Sequence, residues 1–169
     1  IGSGDQHAVP RLDQPRHHGI KRRLRAGKAE DLVGADAAPD AAAFKADMLK
    51  GEAEAKAFAA KYRGKLAKLS GAELAVALKS YEAISDLLGR TGSYAQLYYV
   101  GDTTDAARGK FYGDVSSKHT EISTQLLFFE LELNRIDDAA LEKAMQDPGL
   151  NHYRPWIENL RKERPYQLD

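Results

Sequence analysis

Between Asp105 and Asp138 apolar side chains return at the interval of a helix. Phe111, Val115, Ile122, Leu126, Phe129, Leu133 and Ile136 stand three, four or seven residues apart, so they share one side of a 3.6-residue spiral. Leu127, Phe128 and Leu131 fall off that line. They add a second apolar side over about two turns, where an ordinary surface helix needs only one. The pattern predicts a long helix from near Asp105 whose C-terminal half, Lys118 to Asp138, is covered from two directions.

A second spiral precedes it. Ser70-Gly71-Ala72-Glu73 has the S-x-x-E form of a capping box, in which serine and glutamate satisfy each other's orphan amides. Leu74, Leu78, Tyr81, Ile84, Leu88, Ala95 and Tyr98 follow in helical phase. Gly89 and Gly92 do not shift that phase, which favours one helix to about Val100 over a break between them. Gly101 to Asp105 is too short a connection for anything but antiparallel neighbours, and its Asp and Thr side chains suit the ends of both helices. Upstream, Asp40 is a candidate N-cap for a helix marked by Phe44, Met48, Ala55, Phe58 and Tyr62 and closed at Gly64. Gly51 interrupts it at a cost of about 1 kcal/mol relative to alanine. Downstream come Ala139 to Gln146, then Asp147-Pro148 as cap and first position, then a segment through Trp156, Ile157 and Leu160. Pro155 is expected to kink or divide this last segment and Pro165 to end it. No alternating run reads as a strand. The expected fold is all-α: long antiparallel helices in a bundle-like domain over residues 40–169.

Residues 1–39 read differently. Pro10, Pro15 and Pro39, scattered glycines and the lack of any period mark an irregular segment, disordered or non-native. Arg16, Lys21, Arg22, Arg23, Arg25 and Lys28 fall together without an acid. No aromatic residue is interleaved for base stacking, so a solvated tail is the simpler reading than a nucleic-acid patch. The whole chain carries 25 basic and 25 acidic residues for a net charge of zero, and nothing global points to nucleic acid or anionic lipid. There is no cysteine, hence no disulfide, thiolate nucleophile or cysteine-held zinc. No apolar run approaches the roughly 20 residues that cross a bilayer, and the N-terminus lacks the apolar core of a signal peptide. A cytoplasmic protein without membrane or nucleic-acid partners is the expectation.

A search for chemistry returns little. The histidines are His7, His17, His18, His119 and His152. The zinc pattern H-E-x-x-H needs two on one helical face; adjacent His17 and His18 cannot share one, and no second histidine follows His119. His119 is expected beside the core stripe, hydrogen-bonded or partly exposed. Glu130 and Glu132 lie on different helical faces and read as solvent or interface charges. Phosphate-binding loops and nucleophile elbows have no counterpart. Neither a catalytic nor a metal-binding residue is expected in the chain. Tyr94, Leu97, Tyr98, Tyr99 and Val100, with Phe128 and Phe129, spread apolar surface over more than one helical side. Either the first helix and the C-terminal pieces cover both sides, or the surface meets another domain or a substrate channel, with Tyr94, Tyr98, Tyr99 and Phe128 as its candidate face.

The runs SYEAISDLLGRTGSYAQLYYVGDTTDAARGKFYGDV (Ser80 to Val115), TEISTQLLFFELELNRIDD (Thr120 to Asp138) and HYRPWIENLRKERPYQLD (His152 to Asp169) resemble the N-terminal helical region of the oligoendopeptidase F family, thimet-oligopeptidase-like zinc metallopeptidases. The likeness extends in order from about Pro39 to the C-terminus. Asp31-Leu32-Val33-Gly34-Ala35-Asp36 stands where the family has a W-D-L-x-D-L-Y type segment and departs from it. The resemblance implies an almost wholly helical enzyme whose N-terminal region packs on a larger domain bearing H-E-x-x-H, the two enclosing a channel for short peptides. It implies zinc in the full-length parent, none bound by this chain, and no activity of this chain without its own catalytic domain, as for a partial sequence. The alternative is a stand-alone helical-bundle module that binds a partner or itself.

Overall fold

The computed structural model describes residues 41–167, which belong to one compact unit, Pro39–Asp169. The irregular segment 1–39, its basic run, His7, His17, His18, the Asp31–Asp36 stretch and the Asp40 cap lie outside the described residues. Five α-helices are described: α1 (Ala41–Tyr62), α2 (Gly71–Val100), α3 (Ala106–Arg135), α4 (Asp138–Ala144) and α5 (Arg154–Arg161). Single 3₁₀ turns stand at Leu66–Lys68, Pro148–Leu150 and Arg164–Tyr166. The described residues contain no strand. The fold is all-α, with long antiparallel helices in a bundle.

Local chemistry sets the ends of the elements. The Ser70 hydroxyl accepts the Glu73 amide and the Glu73 carboxylate accepts the Ser70 amide at 2.8 Å, completing the expected capping box of α2. Asp105 accepts the Ala107 and Arg108 amides to open α3, and Asp137 accepts those of Ala139 and Ala140 to open α4. Gly64 has φ +75°, a conformation that other residues adopt only with strain, and it turns the chain at the end of α1. Helix α2 runs unbroken through Gly89 and Gly92.

One expectation at the C-terminal end needs correction. Pro155 does not kink a helix; it sits in the first turn of α5, where no intrahelical N–H is called for. Helix α5 stops at Arg161, ahead of Pro165. Pro165 cannot donate to the Arg161 carbonyl four residues back, and the last bonds have already tightened to the 3₁₀ spacing, Lys162 to Asn159 and Glu163 to Leu160.

Side-chain pairs give the directions. Tyr81 meets Phe129, Thr91 meets His119 and Tyr99 meets Tyr112, so α2 and α3 run antiparallel along their length. Phe44 meets Tyr94 and Phe58 meets Tyr81, setting α1 antiparallel to α2. Phe44 also meets Phe111, Glu52 meets Lys118 and Phe58 meets Phe129, setting α1 parallel to α3. Helix α1 therefore lies in the groove between the other two. Phe129 is wholly buried at their junction, edge-on to Phe58 at 5.2 Å and stacked on Tyr81 at 4.8 Å. The core continues through Leu66, Leu74, Leu78, Ile122 and Leu133 to Leu141, Leu150 and Ile157 of the C-terminal elements.

The glycines of this packing differ in what they tolerate. A Cβ on Gly51 would stand 3.5 Å from Leu88 and 3.6 Å from Leu87, ordinary contact. One on Gly71 would stand 2.4 Å from the Ala144 carbonyl oxygen and 2.7 Å from the Asp147 Cβ. In urea denaturation, Gly51→Ala should gain up to about 1 kcal/mol from helix propensity, and Gly71→Ala should lose about 1–3 kcal/mol by forcing α4 away from α2. A pH series provides a second check. Lys118 at 2.8 Å and Lys56 at 2.7 Å hydrogen-bond the Glu52 carboxylate and hold its pKa at about 2, against an ordinary 4.5. The unfolded chain takes up that proton first, so the stabilisation is present above about pH 4.5 and is lost as pH falls through about 2. Wild type should lose more stability than Glu52→Gln over that window, with the difference shrinking at high salt.

Candidate functional site

The α2–α3 pair presents two flanks, and the chain covers them unequally. Helix α1 lies along one. At the other, α4, the Pro148–Leu150 turn and α5 fold back as a strap over the end formed by the start of α2 and the close of α3. Ala144 and Asp147 abut Gly71, Gly149 abuts Ala75, the Tyr153 hydroxyl donates to Glu82 at 2.9 Å, and Trp156 lies beside Tyr81.

Arg161 fastens the strap. Its Nη1 shares two hydrogens among the carbonyls of Leu133, Asn134 and Ile136, at 3.1, 2.9 and 2.7 Å, where α3 ends and only Leu133 also accepts a backbone amide, that of Ile136. Its Nη2 meets the Asp138 carboxylate, which also accepts from Arg164. Arg161 and, to a smaller extent, Arg164 hold the Asp138 pKa below the ordinary carboxylate value.

Toward the Gly101–Asp105 turn the second flank is open among the described residues. Lys118, Gln125 and Glu132 mark the side of α3 that faces α1; Ser123 and Leu127 fall opposite by helical phase. There a shallow depression of about 330 Å³ is lined by His119, Thr120, Ser123, Thr124 and Leu127. No described atom lies within 4 Å of where a Cβ on Gly89 or Gly113 would stand. Leu127 is 57% exposed, Leu131 37%, Leu97 59% and Val100 54%. Of the second apolar side read from the sequence, Leu127 and Leu131 are bare, while Phe128 turns toward α1.

The four aromatic candidates do not form one face. Tyr94 and Tyr98 stack on each other beside Phe44 and Phe111, toward α1, with Arg108 over the Tyr98 ring at 4.6 Å. Burial, and then the neighbouring Tyr98, push the Tyr94 pKa up. Tyr99 stacks on Tyr112 at the seam of α2 and α3, a separate group. Phe128 lies turns away, between Phe58 and Arg63. All four are half-buried.

Glu130 and Glu132 are also not free solvent charges, and this corrects the sequence reading. Glu130 accepts the Tyr81 hydroxyl at 2.7 Å and Glu132 accepts the Gly64 amide at 2.7 Å. Burial first, and the Glu130 bond second, raise the Tyr81 pKa. His119 takes the expected position beside the core, half-buried and bonded to Thr91 at 2.9 Å. The role of Arg161 was missed, because it acts on residues more than 20 positions away and nothing in its neighbourhood announces it.

His119 meets Thr91 through Nε2, His152 packs edge-on against Tyr153 on a different element, and no group of three His, Asp or Glu side chains converges among the described residues. None of the described helices is long and apolar enough to cross a membrane.

What these residues define is a helical packing unit with one covered and one partly bare flank. Residues 132–169 match the family model described as Oligopeptidase F, the N-terminal region of M3-type peptidases. The match supports an oligoendopeptidase F-like N-terminal region over those residues. The match begins in the last turn of α3 and takes in the whole strap, including Asp138 and Arg161. No curated protein and no solved structure matches the chain.

Removing the fastening tests the strap. Arg161→Met keeps the apolar stem and removes the side-chain donor of three carbonyls and one of the two donors to the Asp138 carboxylate. It should cost about 1.5–3 kcal/mol in denaturant unfolding, with amide exchange rising first in α4 and α5.

Proposed function

We propose that the chain is the N-terminal helical part of a zinc-dependent oligoendopeptidase that hydrolyses short peptides in the cytoplasm, helping to form the substrate channel and supplying no catalytic group itself. The carrying observation is the Oligopeptidase F match over 132–169, the stretch that folds as the strap on the helix pair. Exposed Leu127 and Leu131, one turn apart on α3 near the strap, are the physical support, since neighbouring bare apolar side chains suit a partner surface. In this reading the partner is the chain's own catalytic domain, which would hold the zinc and the H-E-x-x-H motif. Of the aromatic candidates, Tyr99 suits the channel best, because Tyr94, Tyr98 and Phe128 lean toward α1.

Two measurements test the proposal. The reading frame beyond codon 169 should encode H-E-x-x-H and a downstream glutamate. The purified 169-residue chain should neither bind zinc stoichiometrically nor cleave a quenched fluorescent peptide. Stoichiometric zinc with peptide cleavage would refute the inactive assignment. A stop codon at that point, with a clean monomer or closed dimer in solution, would overturn the enzyme reading in favour of a stand-alone interaction module.

A further inference from the structure

Near the middle of the α2–α3 contact stands a polar pair in an otherwise apolar seam. Thr91 is 4% exposed. Its hydroxyl lies 3.1 Å from both the Leu87 and Leu88 carbonyls, which can only accept, so its single hydrogen points to them. With that hydrogen so placed, the oxygen is left to accept from His119 Nε2–H at 2.9 Å. That assigns the neutral ring its tautomer, with the proton on Nε2 and a bare lone pair on Nδ1. The same ring edge presses on the next residue: a Cβ at Gly92 would come within 2.9 Å of His119 Cε1 and 3.1 Å of Nδ1. The imidazole therefore fills the space beside Gly92 between the helices, bonded to Thr91 and edging the shallow depression.

No charge faces it. On α2 the neighbours along the seam are Leu88, Ala95 and Tyr99. By helical phase Asp86 and Arg90 point away from α3. On α3 the nearest charges are Lys118 and Glu121, and these join Glu52 of α1 on the opposite side. The flanking Ser123 and Thr120 hydroxyls are neutral.

We propose that His119 is a proton-sensitive latch on the α2–α3 contact: the neutral ring holds the middle of the pair, and protonation loosens it. A second proton goes to Nδ1 and leaves the Nε2–H bond to Thr91 in place, so the loosening comes from the added positive charge in a half-buried place where neither helix offers a carboxylate. Burial holds the pKa of His119 below the ordinary 6.5, in keeping with this. The unfolded chain then binds the proton first, so the contribution is whole above pH 6.5 and is lost as pH falls through the lower folded value.

The test uses the whole chain. In wild type, the His119 ring resonance should titrate below pH 6.5, and amides of Leu88 to Ala95 and Val115 to Ser123 should lose exchange protection between pH 7.5 and 5.0, after correction for intrinsic rates. His119→Gln retains an N–H for Thr91 but cannot titrate. The Tm of wild type should fall about 2–4 °C further than that of the variant over the same interval. Titration at or above 6.5, unchanged protection in the middle of the pair, or an equal acid loss in both proteins overturns the proposal. If His119→Gln does not fold, the two wild-type measurements decide.

Discussion

The aromatic junction of Phe129, Phe58 and Tyr81 is the constraint on which the described structure depends. Each ring comes from a different long helix, and Phe129 has no exposed surface. Ring pairs prefer tilted and offset geometries, which fix rotation and axial position together. Once these three meet, the register of the bundle is set. Gly51 then reaches Leu87 and Leu88, Phe44 reaches Tyr94 and Phe111, and Gly64 can donate to Glu132. The Tyr81 hydroxyl, carried into the interior by its ring, needs an acceptor, and Glu130 supplies it one residue from Phe129.

The strap solves a different problem. A 30-residue helix ends with carbonyls that have no partner within it, and at the close of α3 these are partly buried. Arg161 answers three of them with one planar cation, and Asp138 balances the charge. The residues joined by this arrangement fall inside residues 132–169, so the family likeness rests on a stretch with its own mechanical logic.

Much of the fold was legible because the signals were local. A serine three residues before a glutamate, an aspartate ahead of an alanine pair and a glycine after the last periodic tyrosine each mark a helix end through contacts within a few residues. The antiparallel pairing followed from a five-residue turn. Less could be read of the surface. Helical phase places Tyr98 and Tyr99 about 100° apart, but only the arrangement of neighbours reveals that one leans on Phe111 and the other on Tyr112. Glu130 and Glu132 looked free because their partners are 49 and 68 residues away. Pro155 was misjudged because the residue that would begin its helix was itself unclear.

The uneven flanks also have a mechanical consequence. Two helices of 30 residues extend about 45 Å, and the strap grips them at one end while α1 braces a single side. The pair is a beam clamped at its base and stiffened against bending in one direction only. A tilt of about 5° away from α1 moves the far tip about 4 Å over that length, so compliance would be directional and greatest at the Gly101–Asp105 turn.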